Sequence, residues 1–153
     1  MFFCGIQNPL YVIWAFSFQL MLAAFFAVRR RNFDLAAKRG WIVYALSLVG
    51  LLVSIQQIHR GESWSFWIGG FVYLVWGVFG LLVDYALNLT WRTPIAWKVF
   101  IPYTALYLAT VMFYWWPLAE IDRRLWYGGA FLFVIGSSLN LASHSVKATN
   151  QKA

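Results

Sequence analysis

The sequence predicts an all-α integral membrane protein with five transmembrane helices, and three observations lead to that prediction. Of the 153 residues, 62% are hydrophobic and only 11% are charged, whereas soluble domains carry about 25% charged residues. The apolar residues form five stretches, each long enough to cross about 30 Å of hydrocarbon. Nearly all charges lie between those stretches, and the richness in aromatic residues excludes a disordered chain. We expect one transmembrane domain over residues 1–153.

The predicted spans cover residues 10–28, 40–58, 65–87, 96–116 and 125–143. The first has no basic residue before it and no small-residue cleavage site after it, so we expect a retained helix rather than a signal peptide. The second lies between the basic segment 29–39 and the polar segment 59–64. The third ends before segment 88–95, which contains Pro94, and the fourth ends at Pro117. Eight of the ten tryptophans lie near span ends, as in an aromatic belt at the headgroups, and only Trp14 and Trp76 lie well inside.

The basic residues predict the orientation of the chain. Nine of the twelve Lys and Arg residues fall on one side of the predicted spans, and three fall on the other. The richer side is cytoplasmic by the positive-inside rule, which places the N-terminus outside and the C-terminus inside. This asymmetry accounts for the net charge of +7 without a nucleic-acid partner. We therefore expect a multi-pass protein of the cytoplasmic membrane, with the lipid bilayer as its surroundings.

A shift of 59 residues indicates a tandem repeat of two-helix units. It aligns Trp67-Ile68-Gly69-Gly70 with Trp126-Tyr127-Gly128-Gly129, Gly77 with Gly136, and Tyr44 with Tyr103. The two units would run in the same direction across the membrane, as parallel repeats do in some transporter folds. Chance matching in a chain rich in Gly and Trp is the alternative.

Glycines on one face of a helix predict close helix packing. The third span carries Gly70, Gly77 and Gly80, and the fifth carries Gly129 and Gly136. Small residues let a neighbouring backbone approach closely where lipid provides no hydrophobic driving force. We expect spans three and five to cross each other, or to cross the matching helices of a second copy.

Asp84 is the acidic residue that the sequence places inside a span, and it shares the glycine face of the third span. An acid within a membrane is a functional candidate because its ionised form is costly there. Candidate basic partners are Arg92, Lys98 and the cluster 29–31. The alternative is a structural salt bridge at the helix end, and the sequence leaves the partner and the protonation state open.

Further polar side chains lie within three other spans. Ser137, Asn140 and His144 share one face of the fifth span, and with Asp84 and Asn88 they predict a small cytoplasm-facing cavity; ordinary interhelical hydrogen bonding is the alternative. Such groups need a partner, water or a ligand, because unsatisfied polar groups are costly in hydrocarbon. The same requirement applies to two other spans. The first carries Gln19 near its middle, and the fourth carries on one face Tyr103, Tyr107, Thr110 and Tyr114.

Several chemistries are disfavoured by the residues present. Cys4 is the single cysteine, so an intrachain disulfide or a thiolate zinc site cannot form. The two histidines fall near opposite ends of their spans, and we expect no metal site. The sequence contains no nucleotide-binding or hydrolase motif and identifies no cofactor. The arginines 29–31 are interpreted mainly as a topology signal, with anionic-lipid binding as the second interpretation.

Three functions are compatible with these features. The first is binding or transport of a small, partly apolar molecule or ion, coupled to a proton or cation through Asp84. The alternative is a structural or accessory subunit, in which the glycine faces dock partner helices or a second copy. An intramembrane enzyme using Asp84 and His144 ranks third, because no set of groups converges on one substrate position.

Overall fold

The computed structural model describes residues 8–89 and 95–150, with side chains described as far as residue 142. Most of these residues are helical, and none of them lies in a β-strand. Five segments are long and apolar enough to cross a membrane: Pro9–Arg31, Phe33–His59, Trp64–Ala86, Trp97–Ile121 and Arg123–Ala142. The predicted class, an all-α multi-pass membrane protein with five spans, is thereby confirmed by length and composition. The orientation of the termini and the repeat stay predictions.

The helices are more numerous than the spans, because three of the spans are divided. They are α1 (Pro9–Arg31), α2 (Phe33–Arg39), α3 (Trp41–Ala45), α4 (Ser47–His59), α5 (Trp64–Leu81), α6 (Trp97–Trp115), α7 (Leu118–Ile121) and α8 (Arg123–Asn150), with a π-helical turn at Leu82–Ala86 after α5. Asn8 begins α1, because its side chain accepts a hydrogen bond from the Tyr11 amide and Pro9 occupies the first helical position, where a missing N–H costs nothing.

The chain divides into two compact units, one formed by Met1–Val43 with Leu118–Ala153 and the other by Tyr44–Pro117. In the described part of the first unit, α1 packs along α8 and α7 packs on α8. In the second unit, α5 packs against both α4 and α6. Helix α3 contains the boundary between the units. The single-domain prediction is not tested by this division.

In the second unit, α5 and α4 approach closely because both present small residues at their contact. A Cβ atom added to Gly70 would overlap the Gly50 carbonyl and the Ser54 hydroxyl, and one added to Gly77 would lie 2.6 Å from the Ser47 Oγ. Backbones in a membrane approach this closely only where side chains are small or absent. The packing role of these glycines was predicted from the sequence, whereas α4 as their partner was not. The predicted crossing of spans three and five involves helices of different units and stays a prediction.

The glycines of α8 have different surroundings. A Cβ added to Gly128 would lie 3.3 Å from two atoms of the Phe16 ring of α1, so Gly128 brings these two helices of the first unit together. Gly129 and Gly136 are buried. A Cβ added to Gly136 would meet no heavy atom of the described residues within 4 Å. The packing role of Gly129 and Gly136 therefore stays a prediction.

Candidate functional site

Five aromatic side chains, here called the Trp76 cluster, occupy the second unit: Trp76 with Tyr44, Tyr73, Tyr103 and Tyr107. The ring centroids of Tyr44 and Tyr73 each lie 5.7 Å from that of Trp76, and those of Tyr103 and Tyr107 lie at 5.9 Å and 5.4 Å. Tyr73 stacks on the indole, and the other rings meet it at steeper angles, the favourable arrangements for aromatic pairs. Because Trp76 is only 2% exposed, the cluster forms a buried aromatic centre between α3, α5 and α6.

A chain of hydrogen bonds joins this cluster to Asp84. The Tyr44 hydroxyl donates to Asp84 Oδ2 at 2.7 Å, and its oxygen lies 2.8 Å from the Tyr103 hydroxyl oxygen. A phenol carries a single proton. When Asp84 is ionised, the Tyr44 proton points to the carboxylate, so Tyr103 is the donor in the second bond. The result is a directed chain from Tyr103 on α6 through Tyr44 to the Asp84 carboxylate.

The local backbone around Asp84 departs from the α-helix. Asp84 lies in the π-helical turn Leu82–Ala86. The last hydrogen bonds of this helix span more residues than those of an α-helix, since the Leu87 amide donates to the Leu82 carbonyl and the Leu89 amide to the Val83 carbonyl. Single π-helical turns are frequent at functional sites. Asn88 follows in an exposed turn with a φ of 46°, a left-handed conformation that Asn tolerates better than most residues.

Gly80 provides the space that Tyr44 occupies. A Cβ atom at Gly80 would overlap Cε1 and Cζ of the Tyr44 ring. Any side chain at this position would therefore push the phenol away from the place where its hydroxyl reaches Asp84. The sequence predicted Gly80 as a contact between helices, and the structure shows that the group packed there is the Tyr44 ring.

Four polar side chains lie on one face of α6, and the three tyrosines among them contact aromatic residues or another tyrosine. Tyr103 bonds to Tyr44, Tyr107 packs on Trp76, and Tyr114 meets Tyr73 edge-on at 6.2 Å. The buried Thr110 hydroxyl donates instead to the Leu106 carbonyl of its own helix at 2.8 Å. The hydroxyl row is therefore not continuous, because Thr110 is satisfied by its own backbone.

Several buried side-chain polar atoms have no hydrogen-bond partner within the described part of the chain, and two of the residues concerned bear on ligand binding. Trp76 is one of these residues, at its indole Nε1, and Gln19 of the first unit is another, at both its amide nitrogen and its amide oxygen. Buried polar atoms without partners are rare and costly, so both residues are candidates for contact with a ligand. Sequence reasoning selected Gln19 but not Trp76, although the position of Trp76 well inside a span was the signal that could have identified it.

The other predicted residues lie elsewhere. Ser137 and Asn140 are half-buried on α8 of the first unit, whereas Asp84 belongs to the second, so their predicted common cavity stays a prediction. The His144 side chain and Arg92 lie outside what the structure describes, and Lys98 is exposed at the start of α6. Within the described ranges, no group of three or more His, Cys, Asp or Glu residues could hold a metal ion.

The sequence matches no protein-family model, and no curated protein or solved structure gives a significant match. Function is therefore inferred from the chemistry of the site. A carboxylate holds a proton or a cation, and phenols both donate and accept hydrogen bonds, so they can pass on a change in protonation. The buried aromatic rings add apolar surface beside these groups, and the indole N–H adds one donor.

Proposed function

We propose that the protein binds or carries a small, partly apolar molecule or ion in the cytoplasmic membrane, and that Asp84 couples this to a proton or another cation. The observation that carries the proposal is the directed chain Tyr103–Tyr44–Asp84 beside Trp76. A charge within a span costs at least a few kcal/mol and is typical of ion and proton pathways. With the N-terminus outside and the C-terminus inside, Asp84 lies near the cytoplasmic end of its span.

Protonation of Asp84 would reverse the direction of the hydrogen-bond chain. An ionised carboxylate only accepts hydrogen bonds, whereas a protonated carboxyl can donate one. Tyr44 would then accept from Asp84 and donate its own proton to Tyr103. The Tyr103 proton must in turn find another acceptor, so a proton bound at the π-helical turn changes the hydrogen bonding on α6. A substrate held against the Trp76 cluster would respond to that change.

The first experiment asks whether Asp84 exchanges a proton. Infrared difference spectra of the protein reconstituted in lipid are recorded between alkaline and acidic pH. We expect the C=O band of a protonated carboxyl that is absent in Asp84→Asn and shifted in Tyr44→Phe, because the carboxyl loses its hydrogen-bond partner. The matched control Asp34→Asn, at an exposed acid of α2, should retain the Asp84 band. Wild-type and Asp84→Asn spectra without a difference would contradict proton coupling.

The second experiment asks whether a ligand is bound. Native mass spectrometry is applied to protein extracted in a mild detergent. A reproducible non-lipid adduct that is lost in Asp84→Asn and weakened in Trp76→Phe supports the binding function, and its mass begins to identify the molecule. A polypeptide that co-purifies in fixed ratio, without such an adduct, would instead favour the accessory-subunit function, with Asp84 as an assembly contact.

A further inference from the structure

The junction between α1 and α2 is made by one residue. Asn32 has extended backbone angles, its amide donates to the Val28 carbonyl at 2.7 Å, and its side chain accepts from the Leu35 amide at 3.0 Å. The first contact closes α1 and the second begins α2. The segment that carries the largest cluster of basic residues is therefore folded as two helix ends rather than as an open loop.

The surface formed by residues 29–42, here called the α1–α2 corner, is strongly basic. The side chains of Arg30, Arg31, Lys38 and Arg39 are exposed. The Arg29 guanidinium lies 5.8 Å from the centre of the Phe33 ring. Against these five basic residues the segment holds a single acidic residue, Asp34. Basic residues at the C-terminal ends of helices are stabilised by the helix dipole, but that effect does not require so many exposed cations.

Apolar side chains lie among these cations. Phe33 is 38% exposed, Leu35 36% and Trp41 49%, whereas Ala36 is the buried residue of α2. They lie at the start of the second membrane-spanning segment, Phe33–His59, beside the end of the first at Arg31, and we expect them at the level where hydrocarbon gives way to headgroups. Trp is favoured at this level because its ring is apolar while its N–H is polar.

We propose that the α1–α2 corner binds the headgroup of an anionic phospholipid. Arginine side chains suit a phosphate group because their planar forks present paired N–H donors. The exposed Phe33, Leu35 and Trp41 suit the acyl chains, and a free phosphate ion would make no use of them. Charge complementarity and position thus favour a lipid as the occupant. The proposal does not depend on Asp84 or on the proposed carrier function.

The test compares lipid retention by native mass spectrometry, with phosphatidylglycerol and phosphatidylcholine supplied in equal amounts. The variant Lys38→Gln/Arg39→Gln removes two charges from α2 and leaves residues 29–31 to direct the topology. The variant Arg123→Gln/Arg124→Gln is the matched control, since it removes two exposed charges at the start of α8. Each basic residue near a surface should change affinity about fivefold, so the α2 variant should lose about thirtyfold for phosphatidylglycerol. The control should keep the wild-type preference.

Three results would overturn the proposal. One is equal retention of both lipids by the wild type. Another is an equal loss of affinity for phosphatidylglycerol in the two variants, because the loss would then depend on net charge and not on the α1–α2 corner. The third is complete displacement of phosphatidylglycerol by inorganic phosphate at the same concentration, which would leave the apolar residues without a role. If the α2 variant does not fold, the preference of the wild type for phosphatidylglycerol is measured at increasing ionic strength instead. The wild-type preference should then fall as ionic strength rises, and a preference independent of salt would equally refute the site.

Discussion

The hydrogen bond from Tyr44 to Asp84 should contribute more to stability than the one from Tyr103 to Tyr44. The first ends on a carboxylate and the second joins two phenols, at similar lengths of 2.7 Å and 2.8 Å. Hydrogen bonds to charged groups contribute about 1.5–3 kcal/mol and neutral ones about 0.5–1.5 kcal/mol. Interhelical bonds in a membrane protein average only about 0.6 kcal/mol and reach about 1.7 kcal/mol. We therefore expect coupling energies of about 1.5 kcal/mol for Tyr44 with Asp84 and about 0.5 kcal/mol for Tyr44 with Tyr103.

Two double-mutant cycles measure these values. Tyr44→Phe is combined with Asp84→Leu in one cycle and with Tyr103→Phe in the other, and unfolding is followed in mixed micelles of increasing denaturing-detergent content. Tyr44→Phe removes only the hydroxyl and keeps the ring that fills the space beside Gly80. The coupling energy is the part of the double-mutant effect that the single mutants do not account for. At a pH acidic enough to protonate Asp84, the first coupling should fall toward the neutral value.

The control and the refuting results follow from the same geometry. Thr110→Val removes a hydroxyl that bonds only its own helix in the described contacts, so it should show no coupling with Tyr44→Phe. A coupling of Tyr44 with Tyr103 equal to or larger than that with Asp84 would refute the directed chain. So would a Tyr44–Asp84 coupling near zero at every pH.

Four further substitutions test the packing and the caps by unfolding measurements. Gly80→Ala should destabilise the protein by about 1–3 kcal/mol, because its Cβ overlaps the Tyr44 ring; an unchanged stability would mean that the ring moves freely. Gly136→Ala should be neutral or stabilising by up to about 1 kcal/mol, since no described heavy atom lies within 4 Å of the new Cβ, and a loss would reveal a partner helix. Gln19→Leu should stabilise by about 1–3 kcal/mol by removing buried amide atoms without hydrogen bonds, whereas destabilisation would show that the amide is bound. Asn32→Ala should cost about 1 kcal/mol and speed amide hydrogen exchange in the first turn of α2; exchange unchanged there would contradict the cap.

The five spans could be predicted because the length of an apolar stretch is a property of the chain alone. Helix α2 was not predicted, since its seven residues include three charges and carry no apolar period. It forms because Asn32 ends one helix and caps the next, a side-chain contact that composition does not reveal. The breaks within the second span have a different origin, because Gly40 and Leu46 keep right-handed helical angles and no side chain caps the start of α4.

The candidate site was only partly predictable. Asp84, Tyr103 and Tyr107 were selected because polar groups in an apolar span need partners. Tyr44 stands out in the sequence only through its alignment with Tyr103, and its bond to Asp84 depends on the missing side chain at Gly80 and on a π-helical turn. Neither the placement of a ring at Gly80 nor a π-helical turn follows from a helical period of 3.6 residues. The faces of regular helices therefore do not predict that Tyr44 and Asp84 meet.

The pairing of Tyr44 with Tyr103 also bears on the predicted repeat. These residues align under the 59-residue shift, and they are hydrogen-bonded to each other. Their roles are nevertheless unequal, because the residue that aligns with Asp84 is Ser143 and the one that aligns with Gly80 is Leu139. Asp84 and Gly80, which together allow the bond from Tyr44, thus occur in only one of the two aligned segments. The chemistry proposed for Asp84 requires one carboxylate, and therefore one exchangeable proton at this site, in each chain.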